Sequence, residues 1–206
     1  MQQNDRKAAP GKGVIGLLDL GTNKVVCLIA ASEPRGRDGA PPAAPYRIVG
    51  VGHQRSRGLK AGVITDIEAA EACVRETVTQ AERMAGIELE EVVLGVACGR
   101  LKSQSFAANA DVETGVVGDN DIARVMAGGR AFAEREGRSL IHLNRFGFRL
   151  DGSSGVRDPR GMAARKLTAD LHAVTADEAP LRNLMLVVER CYLSVSGLVA
   201  APYAAA

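Results

Sequence analysis

The sequence contains no tryptophan, and phenylalanine and tyrosine together make up only 3% of its 206 residues. Any core it builds must therefore come from valine, leucine, isoleucine and alanine. It also lacks an excess of either charge, with 26 Lys and Arg against 24 Asp and Glu and a formal net charge of +2. Interspersed charges of this kind make a solvated surface, not the basic footprint of a nucleic-acid binder, so no nucleic-acid partner is expected. Cys27, Cys73, Cys98 and Cys191 are scattered among apolar neighbours and form no C-x-x-C pair, which reads as buried free thiols rather than a disulfide framework or metal site. His53, His142 and His172 add no ligand spacing. Met1 to Lys12 is polar without an apolar segment, so it is neither a signal peptide nor a membrane span, and the chain reads as cytosolic.

What is present suffices for one or two modest domains, since 46% of the residues are hydrophobic. Val14 to Leu18 and Val25 to Ala30 are β-rich runs joined by a Gly/Thr/Asn turn, which predicts an antiparallel hairpin. Glu33 to Pro45, rich in glycine and proline, predicts a flexible loop. Tyr46 to Gln54 predicts a third strand, where Gly50 and Gly52 on one face mark the close approach of another backbone. Thr65-x-x-Glu68 carries the spacing of a capping box, with Asp66 as a rival cap. Ile67, Ala70, Val74, Val78, Ala81 and Ala85 then form one buried helical stripe, with Glu71 and Arg75 paired on the wet side and Gly86 as the stop. Val92 to Ala97 is too short for a helix and reads as a buried strand.

From Cys98 the texture changes. Leu101 to Val112 reads as an exposed strand, and Asp119 or Asn120 as the cap of a second helix bearing Ile122, Val125, Met126, Phe132 and Ala133. Gly128 and Gly129 inside that helix each cost about 1 kcal/mol relative to alanine, so it is either weak or packed unusually close. Leu140 to Leu150 and Arg165 to Val174 read as strands joined by a loop at Asp151 to Arg160. Thr175-x-x-Glu178 repeats the capping-box spacing before a helix with Leu181, Leu184, Met185 and Val188. Val195 to Ala201 reads as a last strand, and Pro202 to Ala206 as the opening of a helix. The order implies an α/β domain interrupted by an α+β unit: residues 1–12 a disordered tail, 13–97 the first part of the domain, 98–174 the inserted unit and 175–206 the domain's second part.

One segment could contact phosphate. Asp19-Leu20-Gly21-Thr22-Asn23-Lys24 places a tight glycine turn between strands, aiming backbone N–H groups and a Thr hydroxyl outward, with Lys24 adding charge. Asp19 could hold a Mg²⁺-bound water, as hard cations are held through one or two carboxylates. On spacing alone the ordinary hairpin turn is the competing reading. Ala9-Pro10-Gly11-Lys12-Gly13 imitates a phosphate loop but lacks G-x-x-x-x-G-K-[ST].

Asp19, Gly21, Thr22 and Lys24 match the D-x-G-T-x-K-like first phosphate turn of actin-like ATPases. Ser56-Arg57-Gly58-Leu59-Lys60-Ala61-Gly62-Val63-Ile64-Thr65-Asp66 carries a more specific S-R-G-h-x-x-G-x-I-x-D pattern. With Arg145 to Leu150, Gly161 to Thr168 and Glu189-Arg190-Cys191, these segments resemble the first half of the FtsA family, bacterial division proteins of the actin superfamily. The resemblance runs from about Val14 to Ala206. It implies an actin-like (ribonuclease H-like) subdomain 1A interrupted by a subdomain 1C of strand-helix-strand-strand type. It implies ATP and Mg²⁺ as cofactors of the full-length family, contacted here through Asp19, Gly21, Thr22, Asn23 and Lys24, with Asp19 on the metal side.

Two positions depart from the pattern: Tyr192 stands where the family often has a helix-stopping glycine, and Cys98-Gly99-Arg100 is unusual where the insertion begins. The family's second phosphate turn, D-x-G-G-G-T, its adenine pocket, its FtsZ-tail surface and its C-terminal amphipathic membrane helix have no counterpart in these residues. Weak or absent ATP binding by this chain alone is therefore expected. The resemblance also implies self-association and recruitment of later division proteins through residues 98–174, with FtsZ and membrane contacts made elsewhere, at the inner face of the cell membrane at the division site. Two rival readings are half of an ATPase or sugar-kinase cleft, for which no base and sugar loop are evident, and a pilus-assembly relative with a similar insertion, against which the Ser56 to Asp66 pattern argues.

Overall fold

The expected hairpin forms from β1 (Val14–Leu20) and β2 (Lys24–Ser32), and β3 (Tyr46–Arg55) extends it on the outer side of β2. The computed structural model describes residues 13–33, 45–97, 100–135 and 137–204. The polar tail, most of the Glu33 to Pro45 loop, Cys98 and Gly99 lie outside the described residues. The chain divides into two compact units, Met1–Gly99 with Pro180–Ala206, and Arg100–Ala179.

In the first unit a five-stranded sheet has the order β11-β6-β1-β2-β3, where β6 is Glu91–Val96 and β11 is Ser194–Ala200. β1 and β2 are antiparallel, whereas β6 runs parallel to both β1 and β11. The apolar run at Val92 to Ala97 is continuous because that strand lies in the middle of the sheet, with Val92, Leu94 and Val96 fully buried. Helix α1 (Ile67–Ala85) packs on β2 and β3. A Cβ added at Gly50 or Gly52 would overlap the carbonyl oxygen of Ala81 or Thr77, so the two glycines let helix and strand backbones meet. The buried stripe includes Ala70, Val74, Val78 and Ala81, as the spacing predicts, and also Cys73 and Thr77. The Thr77 hydroxyl is satisfied by the Cys73 carbonyl at 2.7 Å, which lets a polar residue sit in the core.

The capping at Thr65 to Glu68 resolves in favour of the rival. Asp66 is the N-cap, its Oδ1 accepting from the Ala69 N–H at 3.0 Å, while the Thr65 hydroxyl turns back to the Gly58 carbonyl. Gly86 ends the helix in the left-handed conformation, φ +69°. Glu71 pairs with Arg75 at 2.8 Å and also with Arg190, the last residue of α3 (Glu178–Arg190). That helix stops although no glycine follows it: Tyr192 itself takes the left-handed conformation, φ +64°, with its ring 86% exposed and the Arg75 guanidinium 5.3 Å from the ring centre. A short helix α4 (Ala201–Ala204) follows β11.

The second unit begins with β7 (Lys102–Asp111) and α2 (Asp119–Ala133), then β8 (Arg138–Leu150), β9 (Ser153–Val156) and β10 (Lys166–Asp177). Its sheet is antiparallel with order β7-β10-β8-β9. Three differences from the sequence reading have local causes. The Asp151 to Arg160 loop contains β9, which folds back on β8 through a turn at Asp151 and Gly152, both at positive φ. Helix α2 is preceded by Gly118, not capped by Asp119 or Asn120; Asp121 reaches back to accept the Gly118 N–H at 2.9 Å. Thr175 and Glu178 form no capping box, because β10 continues through Asp177 and the Thr175 side chain accepts from Arg138 Nε at 2.8 Å. Gly129 lies against Leu171, so α2 packs close to the sheet, while Gly128 faces open space.

Candidate functional site

Asp19 sits one residue before the end of β1, opposite Gly95 of β6 in the parallel ladder. A Cβ at Gly95 would stand 3.1 Å from Asp19 Oδ1, so this glycine keeps room beside the carboxylate. Asp19 Oδ1 is buried and has no hydrogen-bond partner among the described residues. Burial raises the Asp19 pKa above that of an ordinary aspartate, and the Lys24 ammonium opposes the shift. A buried carboxylate oxygen without a partner is costly, and a cation or a water held by one is the usual remedy.

The turn after Asp19 is closed by the Gly21 N–H donating to the Lys24 carbonyl at 3.0 Å. That amide points into the turn, unlike the outward-facing amides expected from the sequence. The Thr22 and Asn23 amides donate to no described protein group, and Thr22, Asn23 and Lys24 are all exposed. A Cβ at Gly21 would lie 2.9 Å from the Lys24 carbonyl oxygen, so a side chain there would distort the turn.

The Thr22 hydroxyl is held by a second segment. Its Oγ1 accepts from the Gly62 N–H at 2.9 Å. Gly62 belongs to a miniature hairpin of β4 (Leu59–Lys60) and β5 (Val63–Ile64). Ala61 and Gly62 between these strands both have positive φ, +49° and +74°, the two-residue turn whose twist suits a tight hairpin. Gly58, φ +74°, accepts from the Thr65 and Asp66 N–H groups, and a Cβ on it would lie 2.6 Å from the Ala70 nitrogen. The Ser56 to Asp66 pattern thus builds a clasp joining the Thr22 turn to the first turn of α1. Each of its two glycines has a backbone reason to be there.

The structure brings Asp19, Gly21, Thr22, Asn23 and Lys24 together at one end of β1 and β2, as their spacing requires. Sequence reasoning missed Gly95 and the clasp contact through Gly62. A glycine inside the apolar run Val92 to Ala97 was the available signal for the first, since it marks close approach; nothing local signals the second. Two cysteines are made poor nucleophiles by their surroundings: burial, aided by Glu82, pushes the Cys27 thiol up to about 12, and burial pushes Cys191 up to about 11. Among the described residues no group of three or more His, Cys, Asp or Glu could hold a metal unaided, and no helix is long and apolar enough to cross a membrane.

Comparison with known proteins agrees with this architecture. The family described as the SHS2 domain inserted in FtsA matches residues 98–175. Cell division protein FtsA of Rhizobium meliloti (strain 1021) is 42% identical over 193 residues, covering 93% of this chain and 44% of the relative. FtsA of Agrobacterium fabrum is 40% identical over the same length, and FtsA of Escherichia coli (strain K12) 28%. The chain therefore spans less than half the length of these curated relatives, and corresponds to their N-terminal half. Among solved structures, a chain of the PilM-PilN type IV pilus biogenesis complex shares the fold, with a TM-score of 0.60 at 11% identity over 91% of this chain and 47% of that one. The actin-like α/β assignment with an inserted SHS2 unit holds; at that identity the pilus protein speaks to fold alone.

Proposed function

We infer that this chain, FtsA-like in sequence over nearly its whole length and carrying at residues 98–175 the SHS2 domain inserted in FtsA, serves as a scaffold module of the bacterial division machinery. The observation that carries this reading is the match on both sides of the insertion as well as within it. In this reading the SHS2 unit bears the contacts for self-association and for later division proteins. The parent protein would work at the inner face of the cell membrane at the division site, meeting FtsZ and the lipid through other regions of the family.

The β1–β2 turn would form one side of an ATP and Mg²⁺ site. The fit rests on the orphaned Asp19 Oδ1 and the free Thr22 and Asn23 amides. Asp19 would hold a metal-bound water, the two amides and the Lys24 ammonium would face phosphate, and Gly21 would keep the turn tight. Bound magnesium would neutralise phosphate charge that these few groups cannot balance. The chain alone would bind ATP weakly, and sub-micromolar affinity by calorimetry would contradict that. In the full-length parent, Gly21→Val should lower ATP affinity without unfolding the SHS2 unit; unchanged affinity removes the phosphate role.

The scaffold reading is tested by replacing residues 98–174 of the parent with a short Gly/Ser linker. Cooperative unfolding with loss of recruitment of late division proteins is the expected result. Full recruitment by the deletion variant would refute it.

A further inference from the structure

Edge strands expose unpaired backbone N–H and C=O groups, and proteins normally blunt them with bulges, charges, proline or brevity. Most edges here are blunted. β3 carries a bulge against β2 and the exposed charges of Arg47 and Arg55. β11 has an irregularity between Val195 and Gly197, β9 has four residues, and β4 and β5 have two each. β7 is the exception. It pairs with β10 through ten consecutive positions without a register shift, and its other side is a sheet edge. Its charges, Lys102 and Asp111, lie only at the ends, and it has no proline. Ser103, Gln104, Ser105, Ala107 and Asn109 are exposed.

We propose that β7 pairs antiparallel with β7 of a second copy of this chain, about a twofold axis at Ala107, making one continuous eight-stranded sheet. The proposal rests on the scaffold reading above and names the surface through which the SHS2 unit would self-associate. A twofold axis normal to a sheet reverses strand direction and keeps its faces, so residues opposite each other must share a face. With the axis at Ala107, Ser105 meets Asn109 of the second copy, a donor against an acceptor, and Ser103, whose hydroxyl already bonds His172 Nε2 at 2.5 Å, meets its Asp111. Asn109 Oδ1 already accepts from Thr168 at 2.7 Å, which leaves its amide N–H groups free to donate across the axis. On the α2 face, Gln104 meets Ala110 and Phe106 meets Ala108, large against small. Moving the axis one residue, to Phe106, sets two Phe106 rings face to face and leaves Lys102 opposite an alanine. The strand is self-complementary in the first register and not in the second.

Sedimentation equilibrium of the 206-residue chain should show a reversible dimer. Ala107→Lys and Ala107→Glu each place like charges at the axis and should each weaken association about tenfold or more. Mixing the two variants should restore it, which also shows that both are folded. A chain that stays monomeric at every concentration overturns the proposal, as does a dimer indifferent to both variants, or losses that the mixture does not restore. The scaffold reading fails separately, if the 98–174 deletion in the parent keeps recruitment whatever the dimer result.

Discussion

The two units solve the same packing problem from opposite sides. In the first, the helix is regular and the strand gives way: Gly50 and Gly52 of β3 remove the side chains that would meet the backbone of α1. In the second, the strand keeps its leucine and the helix gives way, Gly129 of α2 lying against Leu171 of β10. A glycine in a strand facing backbone has no room to be replaced, because a carbonyl cannot step aside. A glycine in a helix facing the end of a leucine side chain can be replaced if that side chain turns. The first contact should therefore be rigid and the second forgiving, and the first helix should be the stronger of the two.

The largest effect should come from Gly52→Ala, whose new methyl group overlaps the Thr77 carbonyl; a loss of about 3 kcal/mol in urea unfolding is expected. A loss under about 1 kcal/mol would mean that α1 can lift off β3, and the contrast would collapse. Next, Asp66→Ala removes the side chain that accepts the Ala69 N–H and should cost about 1 kcal/mol. The equivalent position before α2 is Gly118, which has no side chain to lose, so the two helix starts differ in what mutation can take away. Third, Gly128→Ala fills open space in α2 and should stabilise the unit by about 0.8 kcal/mol. Smallest is Gly129→Ala, where a helix-propensity gain of about 0.9 kcal/mol is offset by displacing Leu171, for a net change near zero. A large loss there would make the helix-side contact as rigid as the strand-side one.

Much of this was written locally in the chain. Alternating or continuous apolar runs located the strands of the two larger sheets apart from the short β9, though not the separate β4–β5 hairpin, and the spacing of Ala70, Val74, Val78 and Ala81 placed α1 and its buried face. Gly50 and Gly52 announced a backbone contact before its partner was known. The errors came where a distant residue claims a local signal. Thr175 and Glu178 have the spacing of a helix start, but Arg138, 37 residues earlier, binds Thr175 and keeps the chain extended. β9 escaped notice because Gly155, at φ +87°, and the short serine-rich run look like loop. In the candidate site the residue set was legible, since Asp19 to Lys24 are contiguous. The direction of the Gly21 amide and the grip of Gly62 on Thr22 were not, because both depend on how turns 40 residues apart fold against each other.

The parallel pairing of β6 with β11 has a consequence for how the molecule comes into being. Ser194 bonds back to Glu90 across 104 residues, and the whole second unit is made in between. Contacts that close long stretches of chain form late, whereas hairpins and helices near one another in sequence form early. On the ribosome, β1, β2, β3 and α1 can assemble first, with β6 at their margin still lacking its outer neighbour. The inserted unit then emerges and closes on itself through β7, α2, β8, β9 and β10. Only afterwards does β11 arrive to finish a sheet begun some hundred residues before. Throughout that interval the outer side of β6 waits unpaired, which makes the stretch of synthesis between β6 and β11 the time at which this sheet is most exposed to misassembly.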